Sequence, residues 1–364
     1  MNRVPRNILI IISLLLFFTL AWYFSSIVFY VVTAGILSLI GKPLVNYLDN
    51  VKIRSRRLPH SLNAALVLVL MILFSGGLIL LFVPMIVQQG RMISAIDLNA
   101  LSAGLQQPLS YLSGMLSEYG LLKSGETIES VLLEKTSGLV GVATFSNLFS
   151  DIIGIAGSFV TFTFSVLFMT FFFLRDDKLF LNSILLFVPN EYETRTIQVL
   201  HQVKHLMTRY FVGLCIQILI MATLLSIGLS ILGIKNALLI GFFAGIMIII
   251  PYLGPLIGSF TGITLTIIDC LSHGMYGSIL EMSLKVGAVF LAANLVDNII
   301  IQPLIYSNSV KAHPVEIFLV IIIAGSVAGI TGMILAIPVY TILRIASKEF
   351  LGGFNIVRKL TRNI

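Results

Sequence analysis

The chain has 364 residues and a formal net charge of +7; 57% of its residues are hydrophobic and only 11% charged. A water-facing globular chain carries about 25% charged residues, so this composition excludes a soluble domain and describes an all-α, polytopic helical membrane protein. At ~20 residues per crossing, the length accommodates six to eight transmembrane segments.

Arg3 and Arg6 precede a long apolar run over residues 8–40. No small-residue cleavage site follows it, so it is read as retained rather than as a signal peptide. It is too long for one span and splits at Ser25–Ser26, with Trp22, Tyr23 and Tyr30 as interface anchors. A basic gap follows, with Lys42, Lys52, Arg54, Arg56 and Arg57, and then a third span over residues 62–83. Arg344, Lys348, Arg358, Lys359 and Arg362 close the chain. Such clusters beside spans mark cytoplasmic loops, which places both termini on the cytoplasmic side of the membrane. They are not read as a nucleic-acid surface, because short basic loops flanking spans are the ordinary case.

Residues 84–150 are polar and mildly acidic, and are read as an extracytoplasmic insert. Leu98, Leu101, Leu105, Leu109, Leu112 and Leu116 step by three or four, the mark of an amphipathic helix. Pro108 kinks or restarts it, and a second helix begins near Glu126. The insert is too small to be a robust independent domain. It packs on itself, on the membrane surface or on the same region of a neighbouring subunit. The chain therefore divides into residues 1–83 (three spans and a basic loop), 84–150 (the insert) and 151–364 (a transmembrane region with broken helices).

A fourth span over residues 152–174 ends at Arg175-Asp176-Asp177-Lys178. Arg175 and Asp176 read as a cytoplasmic anchor or as a gating salt bridge. The polar segment 178–208 carries His201 and His205 at helical spacing, but no third metal ligand accompanies them, so they read as a solvated face. A fifth span covers residues 211–232. Cys215 and Cys270 lie in apolar runs and give no disulfide framework.

Two later apolar stretches do not read as ordinary spans. Residues 237–269 are interrupted by Pro251, Gly254 and Pro255, and residues 315–342 by Gly325, Gly329 and Gly332. Such breaks free backbone groups, which in lipid must face protein or a wet cavity. A pair of broken apolar segments points to a transporter's binding site. Two topologies fit from here to the C-terminus: four plain spans, or two spans plus two re-entrant hairpins. The charges at Lys235, Lys285 and Lys311 do not choose between them.

Between the broken stretches lies VGAVFLAANLVDNIIIQPLI, residues 286–305, with Asp297 inside it. Asn294, Asn298 and Gln302 recur every fourth residue and form one helical stripe, with Asp297 beside it. A carboxylate in an apolar segment is expensive, so it reads as a functional site. Burial favours its neutral form and a bound cation its charged form, which is the coupling an antiporter needs. The structural alternative is a carboxylate bonded to Asn294, Asn298 or a neighbouring helix. Downstream, Pro314 suits a first helical turn and Glu316 the positive end of the helix dipole. His313 is a candidate titrating group.

Several motifs together resemble the autoinducer-2 exporter family of bacterial membrane proteins. They are Phe172-Phe173-Leu174-Arg175-Asp176, Arg209-Tyr210-Phe211-Val212-Gly213, and Pro251-Tyr252-Leu253-Gly254-Pro255-Leu256-Ile257-Gly258. The most specific is the ordered series Val296-Asp297-Asn298, Gln302-Pro303, His313-Pro314, Gly325, Gly329, Gly332 and Ile337-Pro338-Val339. The resemblance implies about eight helices, an outer helical insert and homo-oligomers. It implies secondary transport of a small polar or ionic solute, either export of a signalling molecule or sodium/proton antiport. The fifth-span signature continues to Gln217, but the sequence departs from the family there: Gln217 stands four residues after Gly213 instead of directly after it, which bears on the role of Gln217 and not on the family. No nucleotide-binding, HExxH or GxSxG motif is present. The expectation is therefore no enzyme and no cofactor, with H+ or Na+ as coupling ion and alternating access as mechanism. The competing classes are an intramembrane aspartyl protease, for which Asp269 is the second carboxylate, and a non-transporting scaffold.

Overall fold

The computed structural model describes residues 19–20, 23–53, 56–94, 160–176, 178–186, 188–273, 275–306 and 313–351. The first span's opening half, the leucine steps of the insert, Pro108, the helix expected near Glu126 and the basic C-terminal residues from Arg358 lie outside them. The described chain is helical apart from one two-residue strand pair. Helix α1 is Ser25–Asn50, β1 Lys52–Ile53, β2 Arg56–Arg57 and α2 His60–Ser94. Helix α3 is Val160–Arg175, α4 Leu179–Leu185, α5 Glu193–Ile231, α6 Ala237–Met247, α7 Leu253–Ser272 and α8 Ile279–Val296. A π-helical turn, Asp297–Ile301, leads into α9, Gln302–Tyr306, and α10 is Pro314–Leu351. Among the described residues, six segments are long and apolar enough to cross a membrane: Ser25–Asn50, His60–Pro84, Asn190–Ile231, Leu253–Leu271, Ile279–Leu304 and Val315–Phe350. Their large exposed side chains, such as Leu66, Leu70, Leu73 and Phe74 on α2, suit lipid rather than water.

Contacts group the described residues into two compact units, one within Met1–Ser75 and Ile153–Lys204, the other within Gly76–Ile152 and His205–Ile364. In the first, α1 continues ten residues past the expected end at Ile40, through Pro43 to Asn50. Packing explains the extension. Val45, Ala64, Val67 and Leu174 form a buried cluster. Lys42 is buried with its ammonium donating to the Leu174 carbonyl at 3.5 Å, where a cation meets the negative end of α3. Asp49 closes the turn into α2, accepting from Asn63 Nδ2 at 2.7 Å and pairing with His60 Nδ1 at 2.7 Å. Helix α2 also runs on, through Pro84 to Ser94. Proline removes one backbone bond there without ending the helix.

In the second unit both broken segments turn back on themselves. Helices α6 and α7 pack antiparallel around the reversal at Ile248–Tyr252, and glycines set how closely they approach. A Cβ at Gly254 would stand 2.6 Å from the Met247 carbonyl carbon, and one at Gly258 2.9 Å from the Ala244 Cβ. A Cβ at Gly262 would stand 2.6 Å from a Phe290 ring carbon of α8. Helix α10 is one apolar run by sequence, but it folds in half at Ala328 and Gly329, where Gly329 has φ +58° and ψ −143°. Tyr340 Oη donates to Glu316 Oε2 at 2.7 Å across the fold. In a straight helix these residues would stand ~36 Å apart. A Cβ at Gly332 would likewise strike the Ala324 carbonyl. Val315–Phe350 is therefore a hairpin, and its hydropathy alone misreads it as a single span. Each hairpin has a short first leg: the 11 residues of α6 reach ~16 Å, and residues 314–327 reach ~21 Å. Neither crosses a hydrocarbon core of ~30 Å.

Candidate functional site

Asp297 stands where the regular helix of α8 gives way to the π turn. The Gln302 amide N–H bonds the Asp297 carbonyl, five residues back. This widened turn changes which side chains meet. In a regular helix Asn294, Asn298 and Gln302 would share one stripe and leave Asp297 beside it. The i→i+5 turn instead brings the Gln302 side chain onto Asp297. Gln302 Nε2 donates to Asp297 Oδ2 at 2.8 Å and to Asn298 Oδ1 at 3.0 Å. Asn298 itself is exposed and Asn294 half-buried.

The second donor comes from α5. Gln217, 2% exposed, points Nε2 at Asp297 Oδ1 at 2.7 Å and Oδ2 at 3.0 Å. Asp297 is itself 2% exposed. Two primary amides thus solvate the carboxylate, and among the described residues no lysine, arginine or histidine bonds it. The sequence places Gln217 in the fifth-span signature and leaves its role open. The available signal was a lone glutamine inside an apolar span, a polar group that burial obliges to find a partner.

The helices that carry the triad share an apolar core. Met221, Leu225, Ile240, Ala244, Ile248, Phe290, Ala293 and Ile301 form one buried cluster. Helix spacing fixes the depth of the carboxylate. Asp297 lies two turns beyond Phe290, ~10 Å along α8, and Phe290 packs on Gly262. The same distance back along the antiparallel α7 reaches Pro255. From the other side, Ala222 packs on Gly245. Gln217, ~7.5 Å before Ala222 along α5, is level with Ile250. Both counts put the carboxylate at the depth of the first hairpin's reversal. Pro251, Gly254 and Pro255 belong to that reversal.

Gly325, Gly329 and Gly332 form the second hairpin's fold. His313 is exposed and caps α10: its Nδ1 accepts from the Val315 N–H at 3.3 Å, and its carbonyl accepts from the Glu316 N–H at 2.9 Å. Arg175 and Asp176 are exposed at the end of α3 in the other unit, where Asp176 Oδ1 accepts from the Lys178 N–H at 3.0 Å. His201 and His205 are exposed on α5.

A buried carboxylate solvated by neutral amides beside a reversal of helical backbone suits a small polar or charged species that exchanges with the amides. Residues 11–352 match the AI-2E family transporter family. A Bacillus subtilis (strain 168) protein named "Putative transport protein YueF" is 26% identical over 332 residues, 88% of this chain and 84% of its own length. "Putative transport protein sll0060" of Synechocystis is 26% identical over 300 residues, 81% and 80% of the two chains. "Putative transport protein MJ1177" of Methanocaldococcus jannaschii is 31% identical over 192 residues, 52% and 54% of the two. With the match running through nearly every span and both hairpins, this multi-pass membrane protein belongs to the AI-2E transporter family.

Proposed function

We propose that this transporter is a secondary carrier that moves a small polar or ionic solute across a bacterial inner membrane, with Asp297, Gln217 and Gln302 as the exchange site. The observation that carries this reading is the buried Asp297 carboxylate, held by two glutamine amides at 2.7–3.0 Å. A negative charge offset only by neutral donors is costly in a membrane interior, and a cation or proton in the site relieves that cost. The site therefore favours a cation, with H+ or Na+ as coupling ion, over an anionic solute. For the same reason sodium/proton antiport is the second reading. Alternating access would use the two hairpins as the moving parts. Their short first legs support re-entry, and the reading keeps both termini cytoplasmic, residues 84–150 on the outer side and the subunits in a homo-oligomer.

Reconstitution into proteoliposomes with imposed sodium and proton gradients tests the reading. Asp297→Asn keeps the shape and removes the charge. Gradient-driven flux should fall at least tenfold while the protein still folds. Unchanged flux in the Asn variant would sink the assignment of Asp297, and wild-type flux that ignores both gradients would sink ion coupling.

A further inference from the structure

We propose that Tyr252 gates the Asp297 site by latching the tip of the first hairpin onto Phe318 of the second. This rests on the reading of Asp297 as the exchange site. Tyr252 is the one non-glycine residue with positive φ among the described residues. Its φ is +63° and its ψ −44°, and the Leu253 N–H closes onto the Pro251 carbonyl at 2.7 Å. An i→i+2 bond around a central residue of positive φ is the rarer, strained kind of three-residue turn. Glycine would hold it without steric cost. A bulky side chain persists in such a conformation only when its surroundings hold it there, and such outliers gather at clamps and switches.

The ring supplies what glycine could not. It meets Phe318 edge-on, with centroids 5.5 Å apart and planes at 85°, the geometry that aromatic pairs prefer. The two rings are 49% and 47% exposed, so this is a small surface contact that can open without unpacking a core. The legs of the hairpin are different: Gly254 and Gly258 lock them backbone to backbone. The hairpin is therefore rigid along its legs, strained at its tip, and fastened at that tip by one pair of rings. The strain favours release and the ring pair favours closure, which leaves two states close enough in free energy for a solute to shift. The turn lies at the depth of Asp297 and Gln217. Releasing Tyr252 lets residues 250–255 relax and uncovers the carboxylate, as a hinge of a few terminal residues does in other closures.

The test uses the full chain in proteoliposomes, with Cys215 and Cys270 replaced by serine and one cysteine introduced as Asn294→Cys. Its alkylation rate reports access to the site without requiring flux. Tyr252→Ala removes the ring and keeps a Cβ at the strained positive φ. Phe318→Ala removes the partner ring, and Phe318→Leu does so while keeping the bulk if the alanine variant does not fold. Each should speed alkylation at least fivefold, the low end for coupling between two states, and the double variant should add nothing further. Tyr252→Phe, which keeps ring and turn, should restore the slow rate. Unchanged alkylation in the single variants, or effects that multiply in the double, would overturn the latch. A latch confirmed by alkylation alongside undiminished flux in Asp297→Asn would instead fault the exchange-site reading.

Discussion

Gln217 carries the most discriminating prediction, because only the folded chain gives it a role. Gln217→Leu keeps the volume of a buried position and deletes the two hydrogen bonds to Asp297, at 2.7 and 3.0 Å. Hydrogen bonds to a charged group contribute about 1.5–3 kcal/mol, and leaving a buried charged group short of a partner adds to the loss. Leucine offsets part of this through its own apolar burial, so a net cost of about 2 kcal/mol is expected. In a chain of this size each kcal/mol shifts Tm by about 2–4 °C or less, so melting should fall by a few degrees in detergent. The decisive measurement is a double-mutant cycle with Asp297→Asn. If the glutamine serves the charge, its replacement should cost at least ~1 kcal/mol less once that charge is gone. Equal costs in the two backgrounds would show that Gln217 merely packs, and would refute the triad. Gln217→Glu sharpens the test: two carboxylates ~3 Å apart at an effective dielectric of 20 repel by ~5 kcal/mol. That variant should melt at a lower temperature than Gln217→Leu.

Other perturbations separate the parts of the fold. Gly254→Ala and Gly332→Ala each drive a methyl into a backbone carbonyl and should cost about 1–3 kcal/mol or more. Gly77→Ala on α2 meets nothing within 4 Å and should be neutral or stabilising by up to ~1 kcal/mol; thermal melts compare the three directly. Glu316→Cys with Tyr340→Cys, in a background lacking Cys215 and Cys270, should cross-link with a short bifunctional thiol reagent. Failure to cross-link would restore the straight helix. Of the polar stripe, Gln302→Ala should impair flux strongly, whereas exposed Asn298→Ala should change it less than twofold; the reverse order would show that the π turn misassigns the partners.

The sequence by itself determined the class and the location of the costly charge. Charge depletion and apolar runs of spanning length are properties of composition, and they hold however the helices pack. The residues that break the later apolar stretches were also legible, because proline and glycine act locally on the backbone. Hydrophobic periodicity is blind to direction, so Val315–Phe350 read equally well as one crossing or as a hairpin. The bond between Tyr340 and Glu316 decides it. The partners of Asp297 could not be read either. A π turn alters which side chain meets which without changing any residue, and here it adds an i→i+5 pair, Gln302 with Asp297, to the i→i+4 pair of Gln302 with Asn298. Gln217, 80 positions earlier in the chain, reaches the carboxylate only because Ala222 packs on Gly245 and Phe290 on Gly262. Sequence determined that a buried charge would need partners; tertiary packing decided which ones, because close approach between helices is set by contacts that no single helix contains.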